Sequence, residues 1–270
     1  IDKISGLHVV VRFTDVASFM QNYLSCQQHN HVDAFVLDLP LSSLSQIEFN
    51  DAWCEIQSPL ELIVYNLGDL SSIFHQLELL KQLEMRIYLY SNFKDNYYGL
   101  KILSSLGIDS GLYIQTGKSI DDELLADLAS FYYLSPVPHA KIEPFDYIST
   151  RLTEEKNLSF NHVYYKDDSC YLLIDEEFKL YSSETGEYLC MLSEFEEEKE
   201  FDVRVSQKMD NYYSHFLHLD KCCKCKAFRI CSGMMSKYLS CCEDTMFSCL
   251  EDCLAFYNKQ NNSNKYLCRH

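Results

Sequence analysis

The stretch Met85–Gln115, MRIYLYSNFKDNYYGLKILSSLGIDSGLYIQ, decides the fold class. Its opening run, Met85–Tyr90, is dominated by apolar and aromatic residues and is too short for a helix, which reads as a strand. From Tyr97 to Leu106 apolar residues recur three and four positions apart, the spacing of an amphipathic helix. Gly107 follows, where a left-handed C-cap belongs. A second short apolar run, Gly111–Gln115, closes the unit. Strand, helix, strand at this spacing is a βα repeat, in which the helix carries the chain back so that the strands lie parallel.

The same alternation extends in both directions over the first 150 residues. Leu7–Phe13, Ala34–Leu39 and Leu60–Tyr65 read as further strands. Leu70, Ile73, Phe74, Leu77, Leu80 and Leu83 predict a helix over residues 70–83. The segment Ser119–Leu134 predicts another. Ser119 is its expected N-cap, with Asp121, Asp122 and Glu123 favoured by the helix dipole in the first turn. Its expected buried stripe is Leu124, Leu125, Leu128 and Phe131. Five such units fit a partial or complete (β/α) barrel or an open sheet, and spacing leaves these alternatives open. The pattern changes after Pro136-Val137-Pro138, where Val163–Tyr165, Tyr171–Ile174 and Phe178–Tyr181 read as a β meander. An α/β domain over residues 1–150 and a second domain over 151–270 follow from that change. The acidic run Glu194, Glu196, Glu197, Glu198, Glu200 and Asp202 reads as a solvated face.

Composition narrows the function classes. Forty acidic against 23 basic side chains leave a net charge of −17, which repels nucleic-acid backbones and anionic membrane surfaces and attracts cationic peptides. No segment approaches the ~18–20 uninterrupted apolar residues of a membrane span. The opening Ile1-Asp2-Lys3-Ile4-Ser5-Gly6 is unlike a signal peptide. The cytoplasm is therefore the expected compartment.

Thirteen cysteines are present, and nine of them fall between Cys222 and Cys268. An odd count, clustered locally behind an ordinary α/β region, favours a metal centre over disulfides. The core of the cluster is Cys222-x2-Cys225-x5-Cys231, followed by Ser232-Gly233. A Cys-x2-Cys turn points two thiolates at one site, and a third from a nearby loop builds most of a tetrahedral or cuboidal shell. Lys221, Lys224, Lys226 and Arg229 stand among these thiols and lower their pKa. The fourth ligand is expected from Cys241, Cys242, Cys249 or Cys253. An iron–sulfur cluster of the [4Fe–4S] type is the expected occupant, with zinc as the alternative.

Cys-x2-Cys-x5-Cys near a C-terminus, after a βα-rich domain and a β meander, resembles the SPASM domain of radical SAM peptide maturases. By that resemblance Cys222, Cys225, Cys231 and Cys253 correspond to the ligands of the family's second auxiliary cluster. Met235 stands where the family's motif continues with a cysteine. The upstream pattern, a Cys and then Gly-x4-Cys, maps onto Cys170 and Phe178–Ser183, where Phe178 replaces the glycine and Ser183 the second cysteine. The first auxiliary cluster is thus expected to be lost. The catalytic Cys-x3-Cys-x2-Cys that the family carries after its first barrel strand has no counterpart: Cys26 and Cys54 are isolated, and Cys249-x3-Cys253 has Phe256 in the third place.

The resemblance implies a degenerate, barrel-like α/β domain followed by a small cysteine-rich SPASM-like domain. It implies a component of a bacterial ribosomal-peptide modification system that binds a precursor peptide or a partner enzyme. An active radical or redox enzyme whose cluster motif precedes Ile1 is the alternative from the same resemblance, and a zinc-binding interaction module the alternative from outside it. Three weaker candidates remain: His29 and His31 with Asp33 as metal ligands, His215 or His218 as a substitute ligand, and Asp38 at a strand end, where barrel enzymes place catalytic carboxylates.

Overall fold

The computed structural model describes residues 8–29, 31–39, 47, 49, 51–65, 68, 71, 74–114, 120–153, 160–167, 170–175, 177–183 and 185–195, with isolated positions at 203, 206, 207, 210, 255 and 259. The chain divides into two compact units, the first made of Ile1–Asp146 with Asp252–His270 and the second of Tyr147–Glu251.

The first unit is α/β. Strands β1 (His8–Phe13), β2 (His31–Asp38), β3 (Leu60–Val64), β4 (Arg86–Tyr90), β5 (Ser110–Tyr113) and β6 (Ile142–Glu143) form one sheet in the order of the chain, and every neighbouring pair is parallel. The helices are α1 (Val16–His29), α2 (Leu77–Gln82), α3 (Lys94–Ser105), α4 (Asp122–Leu134) and α5 (Phe145–Thr153), the last of which carries the division between units. Because the strand order never reverses and parallel crossovers are right-handed, successive helices fall on one face of the sheet.

That face is apolar. Phe13, Phe35, Leu37, Leu62, Val64, Ile87, Leu89 and Leu112 share it by register. Phe19 of α1 is fully buried on it, 5.3 Å from Phe13 and 5.5 Å from Phe35, and reaches Trp53 at 5.3 Å. Rings of this size meeting edge to face dominate a core's energetics.

The opposite face carries Arg12, Val36, Asp38, Glu61, Ile63, Arg86, Tyr88, Tyr90, Gly111, Tyr113 and Glu143. Its charges near the strand starts are paired within the sheet, Glu61 and Glu143 buried and Arg86 partly exposed. Arg86 Nη1 lies 3.5 Å from Glu61 and 3.6 Å from Glu143, and it donates to Tyr88 Oη at 3.5 Å. Burial alone favours a neutral guanidine, but Tyr88, Glu143 and Glu61 outweigh it and hold Arg86 charged. Gly111 makes room for this cluster. A Cβ there would sit 2.5 Å from the Tyr88 ring and 3.0 Å from Cβ of Glu143.

Local signals account for the helix ends. Gly107 ends α3 at φ +83°, the left-handed turn that glycine adopts without a Cβ penalty. Helix α4 starts later than its pattern suggests. Asp121 is the cap, its carboxylate accepting from Leu124 N at 3.1 Å, which holds that carboxyl below the usual range. The buried stripe turns accordingly to Leu125, Leu128, Ala129, Tyr132 and Tyr133. The expected helix over residues 70–83 is a 3-10 turn at Phe74–Gln76 leading into α2.

The second unit, as far as it is described, contains a short helix α6 (Phe160–Val163) and an antiparallel sheet of β7 (Leu172–Ile174), β8 (Lys179–Ser182) and β9 (Tyr188–Met191). The meander is thus displaced by one strand from the sequence expectation. Val163 closes a helix whose His162 ring stacks on Tyr147 at 5.9 Å, and Tyr165 turns the chain at φ +56°. Tyr188–Met191 supplies the third strand instead. Phe178 sits in the β7–β8 turn at φ +61°, a conformation that favours glycine.

This strain predicts an inverted order of substitution. Phe178→Ala keeps the left-handed backbone and loses the ring, whereas Phe178→Gly loses the ring but relieves about 1 kcal/mol of strain. Urea denaturation is expected to find the glycine variant the more stable of the two. Equal stabilities would show that the turn is not strained.

Candidate functional site

In parallel α/β sheets, ligands bind outside the carboxyl ends of the strands, where the connecting loops begin. The structure gathers charged and aromatic side chains at that end, on the face opposite α1. Arg12 is the penultimate residue of β1, Asp38 the last of β2, Tyr90 the last of β4 and Tyr113 the last of β5. Tyr65 directly follows β3, and Phe93 caps the start of α3.

Asp38 is the hub. Its Oδ2 lies 3.8 Å from Arg12 Nη1, beyond hydrogen-bond distance, and the two side chains are 29% and 43% exposed. The Tyr90 hydroxyl feels the Asp38 carboxylate. Burial first, then the Asp38 and Tyr113 side chains, push the Tyr90 hydroxyl up to about 12. The phenol therefore stays protonated at neutral pH and acts as a donor. From Tyr90 the rings continue outward, to Tyr113 at 5.1 Å, to Tyr65 at 5.5 Å, and from Tyr65 to Phe93 at 4.6 Å. Tyr65 is 41% exposed, so the array opens to solvent.

One buried amide positions the array. Asn96, in the first turn of α3 and fully buried, donates through Nδ2 to the carbonyls of Tyr65 at 2.9 Å and Tyr90 at 2.8 Å. It ties the ends of β3 and β4 to the helix that follows them. Tyr97 extends the tie by donating to Ser91 O at 3.0 Å. The arrangement can present a carboxylate, a guanidinium, a phenolic donor and three aromatic surfaces to one ligand group.

The sequence candidates fare unevenly. Asp38 lies within the cluster, at the strand end where it was expected. His31 and Asp33 belong to the beginning of β2, at the other end of the sheet, and both are exposed. Among the described residues no group of three His, Cys, Asp or Glu side chains is arranged to hold a metal ion. Cys26 is buried on α1, where burial raises its thiol pKa, and Cys54 is exposed on a 3-10 turn. Cys170 is exposed just before β7, and Ser183 is buried just after β8. Cys222, Cys225, Cys231, Cys241, Cys242, Cys249, Cys253, His215 and His218 lie outside the described residues. Arg12, Tyr90 and Asn96 were not legible as site residues, since only the strand order brings them to Asp38.

No family model, no curated protein and no solved structure matches this chain.

Two measurements follow from the geometry. Asn96→Leu removes the donor from both part-buried carbonyls, and calorimetry is expected to register a loss of about 1–3 kcal/mol in all; an unchanged Tm would refute the clamp. Tyr90 keeps its proton in the folded protein while an unfolded tyrosine loses it near pH ~10. Its stabilisation is therefore present below that pH and is lost as pH rises through about 12. In a tyrosine-Cζ-labelled sample, Asp38→Asn should lower the Tyr90 titration towards the ordinary value. If the titration stays put, the Asp38 charge does not act on Tyr90.

Proposed function

We propose that the protein is a component of a bacterial ribosomal-peptide modification system, acting in the cytoplasm. In this reading the first unit is a degenerate, partial (β/α) barrel that receives a precursor peptide, or a segment of a partner enzyme, at its strand ends. Residues 151–270 are a SPASM-like domain in which Cys222, Cys225, Cys231 and Cys253 hold one [4Fe–4S] cluster.

The observation that carries this reading is the β7–β8 hairpin. Cys170 precedes its first strand, Phe178 holds its turn at φ +61°, and Ser183 follows its second strand. These are the three places of the family's upstream Cys and Gly-x4-Cys. The positive φ at Phe178 supports the reading, because a glycine would serve that conformation, and Ser183 stands where the resemblance expects the second thiol. Two further observations agree with it. The sheet is wound in chain order, as a barrel requires. The connection from β1 to α1 is only Thr14-Asp15, with no cysteine in it, and Asp15 is occupied in accepting from Ser18 N at 2.7 Å.

The donor set is four cysteines, three of them among Lys221, Lys224, Lys226 and Arg229, which suits an iron–sulfur cluster and also zinc. Once bound, a cubane cluster supplies electron transfer or a structural cross-link. Among the described residues no helix is long and apolar enough to cross a membrane.

Anaerobic purification with metal analysis and a visible spectrum tests the reading. Brown protein with a broad band near ~400 nm and about four iron atoms per chain is expected. Cys222→Ser should lose that iron, and the neighbouring Cys223→Ser should keep it. Zinc in place of iron would make the protein an interaction module, and absence of metal would overturn the proposal.

A further inference from the structure

We propose that Asp38 is the recognition carboxylate for a cationic side chain, arginine or lysine, of a bound peptide, and that Arg12 is the internal guanidinium which that side chain displaces. This inference rests on the reading of the protein as peptide-handling and adds to it the chemistry of the residue recognised.

The carboxylate already has a cationic neighbour. Arg12 faces Asp38 at 3.8 Å, too far for a hydrogen bond, and its side chain is 43% exposed. A half-exposed ion pair of that length contributes little to stability, so a competing cation loses little by removing it. Arg12 thus marks the position where a guanidinium sits beside this carboxylate.

The surroundings favour a second cation over an anion. Tyr65, Tyr90 and Phe93 line the approach, with Tyr65 and Phe93 at 4.6 Å and tilted by 60°. Their ring faces carry the negative end of the aromatic quadrupole and attract ammonium and guanidinium groups. Tyr65 is open to solvent and free to receive the stem of an incoming side chain. The whole chain carries a charge of −17, which concentrates cationic peptides near its surface and disfavours acidic ones. Guanidinium is the better fit, because its planar fork can stack on a ring while donating to a carboxylate.

The test is an NMR titration of the full-length, tyrosine-Cζ-labelled protein with acetyl-Gly-Gly-Arg-Gly-Gly-amide. The matched peptide with citrulline in place of arginine keeps the shape and removes the charge. The arginine peptide is expected to move the Tyr65 and Tyr90 signals saturably, and the citrulline peptide to leave them in place. Arg12→Ala removes the internal competitor and should tighten binding about threefold. Asp38→Asn should weaken it about tenfold. Tyr65→Ala, an exposed substitution that spares the fold, should weaken it about threefold. Equal response to both peptides, no response to either, or an unchanged affinity in Asp38→Asn would overturn the proposal. Iron content measured on the same samples separates the two readings. Iron without arginine binding removes only the Asp38 site, whereas arginine binding in metal-free protein removes the cluster and leaves the site.

Discussion

Winding six parallel strands in one direction assigns every crossover helix to the same face of the sheet, so the second face must satisfy its own charges. Glu61, Arg86 and Glu143 do this near the strand starts, one guanidinium serving carboxylates from β3 and β6. A buried ion pair of this kind adds little net stability, but removing one member leaves an uncompensated charge in the interior. The arrangement therefore fixes which residue types the neighbouring positions can hold. Gly111 is small because Tyr88 crosses it, and Tyr88 crosses it to lie within reach of Arg86.

The same face has a different character at its other end. There the ion pair is loose, the rings are tilted against one another, and the side chains are partly in water. Buried carboxylates gathered on one guanidinium at one end, and a carboxylate open to solvent at the other, separate holding the fold from meeting a ligand. Asn96 links the two tasks, since a single buried amide holds the β3 and β4 ends at the spacing the aromatic array needs.

Much of the α/β unit was legible in the sequence because its signals are local. The apolar runs that became β1 to β5 are short and bounded, and the Gly107 cap is set by a single residue. The parts that were not legible depend on something distant or very small. Strand β6 is two residues, Ile142 and Glu143, and exists only because β5 offers a partner. Tyr188–Met191 is a strand because β8 turns back onto it, whereas Val163–Tyr165 finds no partner strand among the described residues. Helix α4 begins at Asp122 because the Asp121 carboxylate reaches Leu124 N. At the site, Asp38 stood out by its position at a strand end, but its partners arrive from β1 and β4. Adjacency of that kind is a property of strand order, which the spacing of the units left open.

The central claim is that a peptide-binding α/β unit is joined to a thiolate-held iron–sulfur centre. Iron K-edge X-ray absorption on anaerobically purified protein tests it most directly, because it reads the iron's ligand atoms rather than its amount. The account predicts a coordination shell of sulfur alone, as four cysteine ligands and bridging sulfides require. A shell containing nitrogen or oxygen would place a histidine or carboxylate on the metal and contradict the assignment of Cys222, Cys225, Cys231 and Cys253.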